Sequence, residues 1–172
     1  MVKGKWAQGI VPRNFKWVIK DQIAVCERPG GYGENHRRVR RQEEILWIQQ
    51  QEFTLVISLI SAPHNLHNYD EMNVPYAHYP IGPHDDVRSF LDRLYPELKR
   101  ITSEGGKVIV HQEELGDVVS GVMAGYLLWD GLVPTGPKAI SVTERLLERQ
   151  LGPRAREVVA IAEQIPRPVS GD

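Results

Sequence analysis

The 172-residue sequence has one cysteine, Cys26, which excludes an internal disulfide and any zinc site built on cysteine pairs. It has no apolar run near the roughly 18 residues that a membrane span needs, and its start, MVKGKWAQGIVPRNFKW, lacks an apolar core of signal-peptide length. Neither charge sign dominates: 21 Lys and Arg stand against 22 Asp and Glu, a net charge of −1. Such a balance offers no bulk attraction to nucleic acid or to an anionic membrane. Internal repeats and low-complexity tracts are missing as well. The expectation is a single cytoplasmic domain over residues 1–172, its core within about residues 15–165, with no cofactor and with neither membrane nor nucleic acid as partner.

What is present alternates between short β-branched runs and helical periodicity. FKWVIKDQIAVCERPGG holds two apolar runs around Lys20 and Asp21 and ends in Pro-Gly-Gly, which predicts a hairpin. NHRRVRRQEEILWIQQQE places Val39, Ile45, Leu46 and Ile48 at helical spacing, and FTLVISLIS follows as a buried strand. VPYAHYPI predicts a shorter strand. After GPHDD, the residues Val87, Phe90, Leu91, Leu94, Leu98 and Ile101 line one face of an amphipathic helix, with Asp85 or Asp86 at its cap and Gly105-Gly106 at its end. KVIVH predicts a third core strand and SGVMAGYLLWDG a helix apolar nearly all round. Two further helices carry Ile140, Val142, Leu146 and Leu147, then Val158, Val159, Ile161 and Ile165. Strands alternating with helices imply an α/β fold with a mixed, mostly parallel central sheet flanked by helices.

The order of these parts resembles the dual-specificity and protein tyrosine phosphatases from about Trp17 to Ala162. WVIKDQIAVCERPGG is similar to that family's opening hairpin. LVISLIS and VPYAHYPIGPHDD are similar to its next two core strands and acid-bearing loop. GGKVIVHQEELGDVVSGVMAGYLLW resembles the segment in which a buried strand ends in His-Cys, followed by five loop residues, an Arg, a Ser or Thr, and a Gly opening the central helix. The resemblance implies a phosphatase fold, and it implies chemistry that needs a low-pKa thiolate to attack phosphorus and an arginine fork to hold phosphate oxygens.

Those two groups are missing. Counted forward from His111, Gln112 stands at the cysteine position, Leu115 at the loop glycine, Val118 at the arginine and Val119 at the hydroxyl. Counted backward from Ser120-Gly121, Glu113, Gly116 and Val119 stand at cysteine, glycine and arginine. Cys26 does not rescue the motif, because Tyr32 stands where its arginine would be; a cysteine in an apolar strand reads as a small core residue. The loop instead carries Glu113, Glu114 and Asp117. A helix N-terminus favours an anion by about 0.3–1 kcal/mol, whereas unit charges about 4 Å apart interact by about 4 kcal/mol at an effective dielectric near 20. Loop carboxylates facing a phosphate dianion would therefore defeat it. The expectation is that Glu113 or Asp117 folds back onto the loop N–H groups and caps the central helix in place of a ligand.

Asp85 and Asp86 fall where the family places its general acid, and equally serve as helix caps. His111 matches the histidine that precedes the family's cysteine and shapes the loop by hydrogen bonding. His84, His111, Glu113 and Asp117 are the residues that could hold a divalent cation, since imidazole and carboxylate suit such ions, although no recognised metal spacing occurs. Arg37, Arg38, Arg40 and Arg41 form a basic run early in a helix, against the helix dipole: either a solvated face paired with Glu43 and Glu44 or a docking patch for an anionic partner. His64 and His67 read as surface-loop residues. Gly121 and Gly125 share a helix face and predict close helix-to-sheet packing. The sequence thus predicts a catalytically inactive phosphatase-like domain with a binding, regulatory or scaffolding role and a protein partner. The alternative is a hydrolase, possibly metal-assisted, built on the acidic and histidine residues of the loop 111–117.

Overall fold

The computed structural model describes residues 9–31, 38–63 and 66–168; His36, Arg37 and His64 lie outside them. In chain order the elements are β1 (Lys16–Ile19), β2 (Ile23–Glu27), α1 (Arg38–Gln50), β3 (Leu55–Ser58), α2 (His67–Glu71), β4 (Tyr76–His78), α3 (Val87–Ser103), β5 (Val108–Gln112), α4 (Asp117–Trp129), α5 (Gly136–Leu147) and α6 (Pro153–Glu163). They fall into two compact units, one of residues 1–80 and 105–115, the other of residues 81–104 and 116–172.

The first unit holds the sheet, ordered β1-β2-β5-β3-β4. Among the described residues the hairpin β1/β2 is antiparallel, while β2/β5, β5/β3 and β3/β4 are parallel. Asp21 turns the hairpin with a positive φ of 62°, a conformation that Asp tolerates better than most residues. Alternation along the strands places Ala24, Cys26, Val56 and Ile109 in one cluster with Ile45 and Ile48 of α1 and with Tyr69 of α2. Ile23, Val25, Ile57, Val108 and Val110 are fully buried too, so both sheet faces are covered, as parallel strands require.

Helix α1 departs from expectation. Val39 is 66% exposed, while Arg41 and Glu44 are buried. Local periodicity ranks valine above both charged residues, but Glu44 accepts from the backbone N–H of Gly30 and from Arg40 Nε at 3.2 Å. A carboxylate satisfied in this way can be buried.

The second unit is helical. The predicted α3 face is buried as expected, and the helix runs on through Pro96. Helix α4 is buried from Val119 to Trp129. Its two glycines face helices, not the sheet: a Cβ at Gly121 would lie 2.7 Å from Ala155 Cα and O in α6, and one at Gly125 would meet the Tyr95 hydroxyl and Ala162 Cβ. That corrects the helix-to-sheet expectation. Tyr95 donates to the Val122 carbonyl at 2.7 Å and packs with Tyr126 and Trp129. In α5 the buried face is Gly136, Ala139, Thr143 and Leu147, leaving Leu146 exposed. Pro137 sits in the first turn after the Thr135 cap, where its fixed φ suits helix entry.

Candidate functional site

In the first unit, β5 ends at Gln112, paired laterally with Glu27 of β2. One residue beyond this register, Arg28 N donates to the Glu113 carbonyl at 3.4 Å, and Arg28 Nη1 reaches Glu113 Oε2 at 3.1 Å and Oε1 at 3.4 Å. The Arg28 side chain is only 10% exposed and that of Glu113 42%. Parallel pairing therefore brings these two side chains together although 85 residues separate them.

His111 is buried. Its Nδ1 lies 3.2 Å from the carbonyl of Gln112 and its Nε2 3.0 Å from the Tyr69 hydroxyl. A carbonyl only accepts, so the neutral ring donates from Nδ1 and accepts the Tyr69 proton at Nε2. Burial lowers the His111 pKa to about 4, helped by the positive charges of Arg28 and His78 and opposed by the bond to Gln112. The Tyr69 hydroxyl is pushed well up by burial. The Cys26 thiol is fully buried, and burial, with Glu44 and Glu27 nearby, raises its pKa well above the ordinary value. A protonated, inaccessible thiol is no nucleophile.

A cavity of about 10 Å³ opens among Arg28, Arg41, Tyr69 and His111. Arg41 is 7% exposed, which removes it from the basic surface run. Of that run, Arg38 is exposed, Arg40 is paired with Glu44, and Arg37 lies outside the described residues.

In the second unit, α4 starts at Asp117 after Gly116, with no side-chain cap. The carboxylate of Asp117 is committed elsewhere. Its Oδ1 accepts from Gly152 N at 2.7 Å and its Oδ2 from Ala155 N at 2.8 Å, which are the cap and third residues of α6. The expectation that Glu113 or Asp117 caps the central helix is thus overturned: Glu113 pairs with Arg28, and Asp117 satisfies the orphan donors of α6. Replacing Asp117 by Ala is expected to cost about 2 kcal/mol of stability, since two charge-assisted bonds to helix-terminal donors go at once. Urea unfolding of the two proteins measures this, and a change within error would refute it.

Arg149 Nη1 donates to Ser120 Oγ at 2.9 Å and lies 3.9 Å from Asp117 Oδ1; Ser120 Oγ in turn donates to the Gly116 carbonyl at 2.7 Å. Val119 is fully buried and Val118 only partly. Asp85 accepts from Gly82 N at 2.7 Å. Asp86 takes the cap position of α3 and accepts from Ser89 Oγ at 2.6 Å, a bond that lowers its pKa. Both acids have local structural partners. Among the described residues no group of three or more His, Cys, Asp or Glu could hold a metal ion, so His84, His111, Glu113 and Asp117 do not form one. No helix among the described residues is long and apolar enough to cross a membrane.

Sequence reasoning missed Arg28, Tyr69 and Arg149 as partners, whereas the pairing of the basic run with Glu44 is found at Arg40. The parallel register of Glu27 with Gln112 is the signal that pairs Arg28 with Glu113, and it is visible only once the strand order is known.

No family model matches the sequence, and no curated protein matches it. Solved structures do. The active form of Tk-PTP is 17% identical with a TM-score of 0.68, over 88% of this chain and 97% of its own. A kinase associated phosphatase whose catalytic-site cysteine is replaced by serine is 16% identical with a TM-score of 0.71, over 87% and 93%. Human DUSP28 is 14% identical with a TM-score of 0.65, over 91% and 97%. Likeness at this identity carries fold and nothing further, and the fold is that of the dual-specificity and protein tyrosine phosphatases.

Proposed function

We propose that this chain is a phosphatase-fold binding protein without phosphatase chemistry: a single cytoplasmic domain over residues 1–172 that acts on a protein partner as a regulatory or scaffolding element. The observation that carries the reading is the state of its one sulfur. The Cys26 thiol is fully buried and its pKa is raised, while Gln112 or Glu113 stands where an attacking thiolate belongs and Val118 or Val119 where a guanidinium belongs. The forward count is favoured, because His111 donates to the Gln112 carbonyl and because Val118 is the less buried of the two valines. Asp85 and Asp86 then have no leaving group to protonate.

Purified full-length protein is expected to release no aryl alcohol from an aryl phosphate above the no-enzyme rate, with chelator or with added Mg²⁺, Mn²⁺ or Zn²⁺. Turnover in chelator would overturn the reading. Turnover that needs a divalent ion and is lost in Glu113→Gln would replace it with a metal-assisted hydrolase. Among the described members of the basic run, the exposed Arg38 is best placed to meet a partner.

A further inference from the structure

On the outer face of α1 the side chains of Val39, Gln42, Glu43 and Leu46 form a groove with Met72, enclosing about 280 Å³. Val39 is 66% exposed, and Leu46 and Met72 are half-buried. Three apolar side chains facing water at one place call for a cover. The volume, near the lower limit of about 300 Å³ for small-ligand pockets, admits one large side chain. Residues just ahead of β1 run along the same helix: Gly9 N donates to Gln50 Oε1 at 3.2 Å and Ile10 N to the Glu43 carbonyl at 3.0 Å. Gly9 lies so close to α1 that a Cβ on it would collide with the Trp47 backbone, so glycine alone permits the approach. Followed backward from Ile10 to Gly9, the chain heads toward the C-terminal end of α1 and leaves the described residues at Gln50. The Met72 wall of the groove is held by the neighbouring residue, whose side-chain nitrogen, Gln49 Nε2, donates to the Met72 carbonyl at 3.0 Å. Groove and exit point thus adjoin, both within the first unit.

Residues 1–8, which lie outside the described residues, read MVKGKWAQ. Trp6 stands three residues before Gly9, a reach of about 10 Å in extended chain, and Leu46 lies one turn, about 6 Å, back along α1 from Gln50. The indole comes with two lysines, Lys3 and Lys5; the groove comes with Glu43 in its wall and the exposed Glu71 next to Met72. Size, reach and charge sign agree. We propose that this groove is the docking site of the chain's own N-terminal segment, residues 2–6, with Trp6 seated against Leu46 and Met72 and the lysines toward Glu43 and Glu71. The site uses no residue of the loop 111–117 or of the basic run, so the proposal stands or falls apart from the turnover test.

The test is the labelling rate of a thiol placed in the groove of the full chain, by Met72→Cys or Leu46→Cys, with a water-soluble aromatic disulfide reagent. Cys26 is buried, so the introduced thiol is the one that reacts. Either variant serves, should the other fail to fold by circular dichroism. Adding Trp6→Ala is expected to raise the rate at least about fivefold, because a seated indole shields the thiol for most of the time. Lys3→Glu with Lys5→Glu should raise it by a smaller factor. A thiol at the exposed Arg93 of α3, introduced by Arg93→Cys, should react at one rate with and without Trp6; an equal rise there would trace the change to general unfolding and overturn the site. An unchanged rate in the groove on loss of Trp6 overturns the proposal. So does protection that grows with protein concentration, which would assign the groove to a second copy of the chain.

Discussion

Lowering the pH from 7 to 4 is expected to remove about 3 kcal/mol of folding free energy through His111 alone. The sign follows from the direction of its shift: burial lowers the folded-state value to about 4 from 6.5. Above pH 6.5 neither state carries the proton and the full stability is present. Between 6.5 and 4 the unfolded chain takes up a proton that the native ring refuses, so stability falls as pH falls and levels off below about 4. Burial is what makes the native ring resist the proton, and a proton on Nε2 would also turn the Tyr69 hydroxyl from donor to acceptor. Urea unfolding at intervals across this range measures the slope, and His111→Gln should flatten it. A variant that follows the wild-type pH dependence would show that His111 is not the responsible group.

The second large effect is steric. Gly121→Ala is expected to destabilise the protein by about 3 kcal/mol, because the new Cβ would sit 2.7 Å from the Ala155 Cα and carbonyl oxygen and 3.0 Å from Val158 Cβ. Backbone atoms of α6 cannot rotate aside as a side-chain tip can, so one helix must shift against the other, at the upper end of typical overpacking costs. Thermal or urea unfolding of Gly121→Ala reads the loss. A stability within about 0.5 kcal/mol of wild type would mean that the two helices sit farther apart in solution.

The hairpin, the β5 strand, the apolar α4 and the buried stripe of α3 are all legible in the sequence, because each is set by local periodicity and by punctuation such as Pro-Gly-Gly. Helix faces decided by distant partners are not. Arg41 and Glu44 displace Val39 from the interior of α1 because Glu44 finds the Gly30 N–H and Arg40, and Gly30 is fourteen residues away in sequence. In α5 the small residues Ala139 and Thr143 turn inward and Leu146 is left outside, since apolar content alone does not fix how closely helices approach. That Gln112 or Glu113, and Val118 or Val119, stand where the resemblance puts a cysteine and an arginine could be read directly. Where the loop carboxylates point could not: Arg28 is brought to Glu113 by parallel strand register, and the donors that claim Asp117 lie 35 and 38 residues downstream.

The clasp between Asp117 and the start of α6 constrains any redesign of this loop. Placing a cysteine at Gln112 and an arginine at Val118 would leave an anchored negative charge at the foot of α4, and freeing it would leave two N–H donors of α6 without their acceptor. A redesign that removed the Asp117 carboxylate would therefore lose stability before it gained a ligand.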